Sequence, residues 1–321
     1  MSSFRLTVPG NLLLAGEYAV LEDGGLGAAI AVEPRLTVTV TPAEEWEIVG
    51  RWVGGSELWN PESDEPTFAG LVFLKALEQL EDRGDERGRR WSRRIRSARI
   101  EVDSSPFFDE RGRKLGFGSS AALAVGLTAA LGRLGDRDDP GPLHQMAVAA
   151  HRHAQGGAGS GYDVTASWFG GFGLFSGGQE PRWEPADPGR LPALAVFPGP
   201  EAVRTVGAVA RYRQWKAEQP KTAHDFLDAS NFAVRNLVKA ATPTALLEAW
   251  VQARTLGIDL GREIGSDASL DAPAGLEPAP FVKALGAGNE TGVAAFPDGL
   301  PSRLPSGLTP LVLSRDGVRW E

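Results

Sequence analysis

The sequence predicts an α+β fold, on three observations. The chain has 321 residues with 42% hydrophobic content, enough to bury a large core as two lobes or one large domain. Strand-like and helix-like stretches are mixed without strict βα alternation, which favours α+β over a doubly wound parallel sheet. No repeat of solenoid period stands out.

Phe4–Val8 alternates as a strand does, and Ala28–Thr41 is strand-rich, with Thr37-Val38-Thr39-Val40 alternating. Glu44–Asp64, with Trp46, Trp52 and Trp59, reads as short strands and turns. Thr67–Leu80 is an amphipathic helix with Leu71, Leu74, Ala76 and Leu77 on its apolar side. Ile95–Val102 is a strand. Ala121–Leu134 is a helix with Leu123, Leu127, Leu131 and Leu134 along one stripe, and Pro142–Gln155 is a second helix. Phe169–Ser176 reads as a strand. Gln179–Leu191, rich in proline, glycine and charge, is the best lobe boundary. Beyond it, Ala193–Phe197 is a strand, and Ala202–Lys216, Phe226–Ala240 and Thr244–Ile258 are helices. Phe281–Leu285, Gly292–Phe296 and Leu308–Leu313 are short strands.

Composition narrows the function. There are no cysteines, so neither disulfides nor thiolate metal sites are possible. The four histidines show no metal-ligand spacing, and His151 reads as structural. No stretch approaches the about 20 apolar residues of a membrane span, and no secretion signal is evident, so a cytoplasmic protein without a membrane partner is expected. The net charge of −8 argues against a general nucleic-acid binder, so an anionic substrate must be captured by local positive groups. Arg87, Arg89, Arg90, Arg93, Arg94 and Arg96, with Trp91, read as a solvated loop rather than a nucleic-acid patch. Monomer and homodimer both stay open.

The most informative stretch is Leu115-Gly116-Phe117-Gly118-Ser119-Ser120-Ala121-Ala122. Glycines allow backbone amides to approach a ligand, and the free amides and dipole of a helix start favour anions. Ser119 or Ser120 can cap the helix, contact a phosphate or ligate Mg2+. The octapeptide alone fits both a nucleotide-phosphate cradle and a plain turn with a capping serine. It is not a Walker A loop, because no Gly-Lys-Ser/Thr ends it, and it is not a dinucleotide fingerprint.

The stretch resembles the second motif of the GHMP kinase superfamily (galactokinase, homoserine, mevalonate and phosphomevalonate kinases), with Phe117 where leucine is usual. Pro9-Gly10-Asn11 through Gly16-Glu17-Tyr18-Ala19-Val20-Leu21 resembles the first motif. Lys283-Ala284-Leu285-Gly286-Ala287-Gly288-Asn289-Glu290-Thr291-Gly292 resembles the third, in the family's order. Tyr18, Gly112–Gly116, Ala150-His151-Arg152 to Gln155-Gly156, Gly159-Ser160-Gly161-Tyr162-Asp163-Val164 and Phe226–Asn231 are most similar to the phosphomevalonate kinase branch.

The resemblance implies a two-lobed fold: an N-terminal lobe (1–185) like the second domain of ribosomal protein S5, carrying the ATP loop, and a ferredoxin-like C-terminal lobe (186–321). It implies ATP and Mg2+ as cofactors and a small anionic substrate, most simply 5-phosphomevalonate, with mevalonate as an alternative acceptor. Gly116, Phe117, Gly118, Ser119, Ser120 and Ala121 would hold the nucleotide phosphates, with Ser120 reaching Mg2+. Asp163 would orient or deprotonate the acceptor, unless it only caps the helix starting at Val164. Lys114 is a candidate phosphate ligand or an exposed loop lysine. Glu17, Tyr18, Arg152, Ser160, Gly161, Gly286, Ala287 and Gly288 are candidate substrate-binding residues, Glu17 leaning to a structural role.

Three departures from the family pattern stand out. Asn11 occupies the position of a lysine usually close to the transferring phosphoryl. Asn289 and Glu290 replace glycines of the third motif. Pro142–Gln155 contains no carboxylate, although mevalonate and homoserine kinases place a Mg2+ ligand on the corresponding helix.

Overall fold

A computed structural model describes residues 2–61, 65–81, 97–157, 159–200, 205–274 and 280–321. The arginine cluster from Arg87 to Arg96 lies outside the described residues. The chain folds into two compact units, each discontinuous in sequence. Unit 1 comprises 1–11, 31–170 and 314–321; unit 2 comprises 12–30 and 171–313.

Unit 1 contains the start of β1 (Phe4–Ala15) and most of β2 (Leu26–Pro42), with β3 (Glu47–Trp52), β4 (Gly55–Trp59), β5 (Ala98–Asp103) and the C-terminal β12 (Arg319–Trp320). The strand order is β12-β1-β2-β5-β3-β4. β5 runs antiparallel to β2 (Val38 opposite Val102) and parallel to β3 (Ile48 opposite Ile100). In β5, Ala98, Ile100 and Val102 are buried and the residues between them less so, the period-two signature of a sheet covered on one face. The covering helices are α1 (Phe68–Glu81), α2 (Ser119–Leu134), α3 (Pro140–Ala154) and α4 (Tyr162–Phe169), with α2 packed on the other three.

Helix α2 is not a one-stripe helix. It is buried almost all round, because the sheet lies on one side and helices on the others. Its small residues permit this: a Cβ on Gly126 would come within 2.6 Å of Val38 Cγ2 in β2. Pro140 opens α3 behind Asp139, whose side chain accepts the Gly141 N–H. Arg35 anchors the C-terminal tail: its guanidinium donates to Thr7 Oγ1 and O, to Ser314 Oγ, and to the carbonyls of Asp316 and Gly317.

Unit 2 contains β6 (Phe172–Ser176), β7 (Arg182–Ala186), β8 (Ala193–Pro198), β9 (Phe281–Leu285), β10 (Thr291–Phe296) and β11 (Thr309–Pro310), with α5 (Thr205–Glu218), α6 (Pro220–Lys239) and α7 (Pro243–Ile264). β8 to β11 form a four-stranded antiparallel sheet of order β11-β8-β10-β9. The expected strand at Leu308–Leu313 is only the two-residue β11. The segment read as a lobe boundary, Gln179–Leu191, contains β7, which pairs with β6; β6 in turn pairs with residues 26–30 of β2. This long-range pairing explains the discontinuity of the units. Trp250, fully buried on α7, donates its indole N–H to the Leu14 carbonyl at 2.9 Å. Asn231 of α6 accepts from the Leu26 N–H and donates to the Gly24 carbonyl, pinning the turn before β2.

One buried group makes the stability of unit 1 depend on pH. His144 of α3 is 2% exposed, with Nε2 2.8 Å from Thr165 Oγ1. The Thr165 hydroxyl donates to the Gly161 carbonyl, so the imidazole donates to Thr165. Burial, reinforced by the charge of Arg152, lowers the His144 pKa to about 4. The unfolded chain takes up this proton near pH 6.5 and the folded chain only near 4. The contribution is therefore intact above 6.5 and lost as pH falls towards 4, by on the order of 3 kcal/mol. Denaturant unfolding at pH 7 and pH 4.5 should show this loss in the parent chain and a smaller one in His144→Gln. Equal losses in both would contradict the assignment.

Candidate active site

The glycine-serine loop is built from backbone. Gly116 and Gly118 take positive φ of 79° and 70°. Gly118, in the left-handed region, is the N-cap of α2, so Ser119 and Ser120 are its first helical residues and neither side chain caps it. The first N–H bonded back into the helix is that of Ala122, to the Gly118 carbonyl at 3.1 Å. The N–H groups of Ser119, Ser120 and Ala121 therefore meet no backbone acceptor among the described residues, at the positive end of the helix dipole. Phe117 turns its side chain into the core (3% exposed), and contributes to the loop through its main chain. Lys114 is exposed on the approach to the loop, bridged to Phe108.

Asn11 lies beneath this loop. Its backbone N–H donates to the Phe117 carbonyl at 3.0 Å. Its side chain is 2% exposed and donates from Nδ2 to Ser167 Oγ at 3.0 Å, with the Gly118 carbonyl 3.5 Å away. A Cβ on Gly118 would stand 2.2 Å from Asn11 Nδ2. Where the family pattern has a cation, this chain has a neutral brace.

Asp163 lies in the first turn of α4 but does not cap it. Gly161 (φ 86°) is the N-cap, and Asp163 Oδ1 accepts the neighbouring Val164 N–H at 2.9 Å. Its Oδ2 stands 3.7 Å from Nδ1 of His151. On the other side of the same imidazole, Nε2 lies 3.3 Å from Ser120 Oγ and 3.2 Å from Gln155 Nε2. Arg152, half-buried, donates to the carbonyls of Gly159 (3.0 Å) and Ser160 (2.6 Å), fixing the turn that leads to Asp163. Burial lowers the Arg152 pKa, and the Asp163 charge opposes that shift. Ser160 is buried, with Oγ 3.4 Å from the Tyr162 N–H. Unit 1 thus gathers Asn11, Gly116 to Ala121, Arg152, Ser160, Gly161 and Asp163.

Glu17, Tyr18, Gly286, Ala287 and Gly288 gather separately, in unit 2. The third motif is the loop of the β9–β10 hairpin. Tyr18, at φ 63°, donates its hydroxyl to the Ala287 carbonyl at 2.6 Å, which also accepts from Ser266 Oγ at 2.6 Å. The Lys283 ammonium pairs with the Glu17 carboxylate and donates to the Ala284 carbonyl at 2.8 Å. Both side chains are buried, Lys283 to 4% and Glu17 to 9% exposure.

Sequence reasoning singled out neither Lys283 as a partner of Glu17 nor Ser167, and it read His151 as structural. One signal was present for His151: it is four residues before Gln155, which puts both on one helical face.

Among the described residues no group of three or more His, Asp or Glu side chains could hold a metal ion, and no helix is long and apolar enough to cross a membrane.

Residues 72–171 match the family of GHMP kinases N terminal domains. The fold extends the likeness. A Listeria innocua protein superposes with a TM-score of 0.78 at 20% identity, covering 100% of this chain and 99% of that one. The Streptococcus pneumoniae phosphomevalonate kinase, solved in complex with phosphomevalonate and AMPPNP, superposes with a TM-score of 0.72 at 18% identity over 92% of each chain. The chain is thus similar to the GHMP kinases over residues 72–171, and it shares the mixed α+β fold of these solved proteins. In sequence, the chain is 30% identical over 178 residues to the phosphomevalonate kinase of Saccharolobus solfataricus. That match takes up 52% of this chain and 47% of the relative, so the chain spans about half the length of the curated relatives it matches.

Proposed function

We propose that this chain is an ATP-dependent kinase that transfers a phosphoryl group to the phosphate of 5-phosphomevalonate, giving 5-diphosphomevalonate and ADP. The observation that carries the reading is the start of α2, where three backbone N–H groups meet no backbone acceptor among the described residues, behind two glycines of positive φ. Such a cradle suits a polyphosphate, whose oxygens accept these bonds in line with the helix dipole. The likeness to phosphomevalonate kinases supports the choice of acceptor.

Phosphoryl transfer needs positioning and charge stabilisation more than covalent chemistry from the protein. Gly116 to Ala121 hold the nucleotide phosphates through main-chain N–H groups. Lys114, exposed on the approach to the loop, supplies a point charge. The side chains present fit Mg2+, which keeps several waters and takes further ligands from substrate phosphates: Ser120 offers a hydroxyl that caps nothing, and no carboxylate cage is needed. Bound there with the nucleotide, the cation would neutralise charge on the transferring group. Asp163 orients the acceptor. An acceptor phosphate is largely ionised at neutral pH, so it needs a base less than an alcohol does. Arg152 sets the Gly159–Gly161 turn that carries Asp163. In unit 2, Glu17 and Tyr18 commit their polar atoms to Lys283 and Ala287, so substrate contact there falls to the backbone of Gly286, Ala287 and Gly288.

ADP release with phosphomevalonate, mevalonate and galactose as acceptors tests this reading. Turnover with phosphomevalonate alone is expected; turnover with mevalonate instead would transfer the assignment to an alcohol acceptor. The neutral, buried Asn11 favours a second reading, a homologue that binds nucleotide with little transfer. Mg-ATP binding without ADP release for any acceptor would establish that one.

A further inference from the structure

We infer that His151 is a positioning residue: it orients the hydroxyl of Ser120, while its other ring nitrogen faces the carboxylate of Asp163, so that one imidazole lies between the nucleotide loop and the acceptor side of unit 1. The inference rests on the kinase reading above and extends it to a residue outside the three sequence motifs.

The imidazole is 1% exposed and belongs to α3, yet its two nitrogens face two other helices. Nδ1 faces the Asp163 carboxylate on α4 at 3.7 Å, and Nε2 faces Ser120 on α2 at 3.3 Å. A ring nitrogen next to a carboxylate carries the hydrogen in the neutral tautomer, which leaves the other as the acceptor. The Gln155 amide nitrogen, 3.2 Å from Nε2, is also a donor, which agrees with Nε2 as the acceptor; it shares that lone pair with the Ser120 hydroxyl at 3.3 Å. The Ser120 hydroxyl proton is then drawn towards Nε2, and its lone pairs turn away from His151, free for a cation. Ser120 caps nothing, so no competing local bond fixes its rotamer. The Phe68 ring packs edge-on at 6.0 Å and helps confine the imidazole.

Two conservative variants separate the two contacts. Glutamine can place its amide where Nε2 stands, and asparagine where Nδ1 stands. His151→Asn and His151→Ala should raise about tenfold both the Mg2+ concentration for half-maximal ADP release and the Mg2+ dissociation constant measured calorimetrically with the chain and AMPPNP, as loss of a group that orients a metal ligand does. His151→Gln should stay within about threefold of the parent chain, at matched melting temperature. In a Ser120→Ala background, His151→Asn should add little, since the hydroxyl it orients is gone. Equal Mg2+ requirements in the Gln and Asn variants, or fully multiplicative losses with Ser120→Ala, would overturn the inference. If the parent chain itself releases no ADP with phosphomevalonate, the kinase reading has failed instead, and that outcome is seen before any variant is made.

Discussion

Gly118→Ala is expected to lower ADP release by about a hundredfold or more while leaving the chain folded, the scale of loss when bound reactants are misplaced by about 1 Å. Two independent costs meet at this position. The φ of 70° lies in the left-handed region, which costs an L-residue about 1–2 kcal/mol. The added Cβ would also stand 2.2 Å from Asn11 Nδ2 and 2.6 Å from its Oδ1. Asn11 cannot swing clear, because it is buried and bonded to Ser167. The loop must move, and the N–H groups of Ser119, Ser120 and Ala121 move with it. Trimming Asn11 as well, in Gly118→Ala/Asn11→Ala, removes the clash but not the dihedral cost, so part of the activity should return. Full activity in Gly118→Ala, at unchanged KM for ATP, would show that these amides do not hold the nucleotide.

Lys283→Met should destabilise the chain by about 3–5 kcal/mol, the cost of leaving the Glu17 carboxylate buried without its cation. A buried pair is weak as a source of net stability but costly to break from one side. Glu17→Gln combined with Lys283→Met should therefore recover most of the loss, because no charge is then left unpaired. Denaturant midpoints of the parent, both single variants and the double variant decide this. A Lys283→Met loss below about 1 kcal/mol, or a double variant as unstable as the sum of the singles, would contradict the account. The pair also explains why the first and third motifs carry these charges: the salt bridge fixes Glu17, next to the strained Tyr18, to strand β9.

Much of this was legible in the chain because it is local. The loop and helix α2 follow from closely spaced glycines, two serines and an alanine-rich stretch, all within twenty residues. The strands at Phe4 and Ala28 follow from alternation, and those at Ala193, Phe281 and Gly292 are short, mostly apolar stretches. What the sequence hid is long-range. The Glu17–Lys283 pair spans 266 residues and Ser120–His151 spans 31; neither lies within one turn or one helix. The leucine stripe expected on α2 understated its burial, because a helix lined with alanine and glycine can be enclosed from every side. By residue type Asp163 fits both an acceptor-orienting carboxylate and a helix cap; Gly161, two positions earlier, takes the cap through backbone conformation alone. The discontinuity of the two units arises from the pairing of β6 with residues 26–30, which no local composition marks.

The central claim is that the main-chain N–H groups at the start of α2 grip a triphosphate. The most direct test follows the backbone amide resonances of Ser119, Ser120 and Ala121 as Mg-ATP is added, with adenosine as the control. Saturable shifts with Mg-ATP and none with adenosine are predicted. Resonances that stay in place while the same sample releases ADP would contradict the claim.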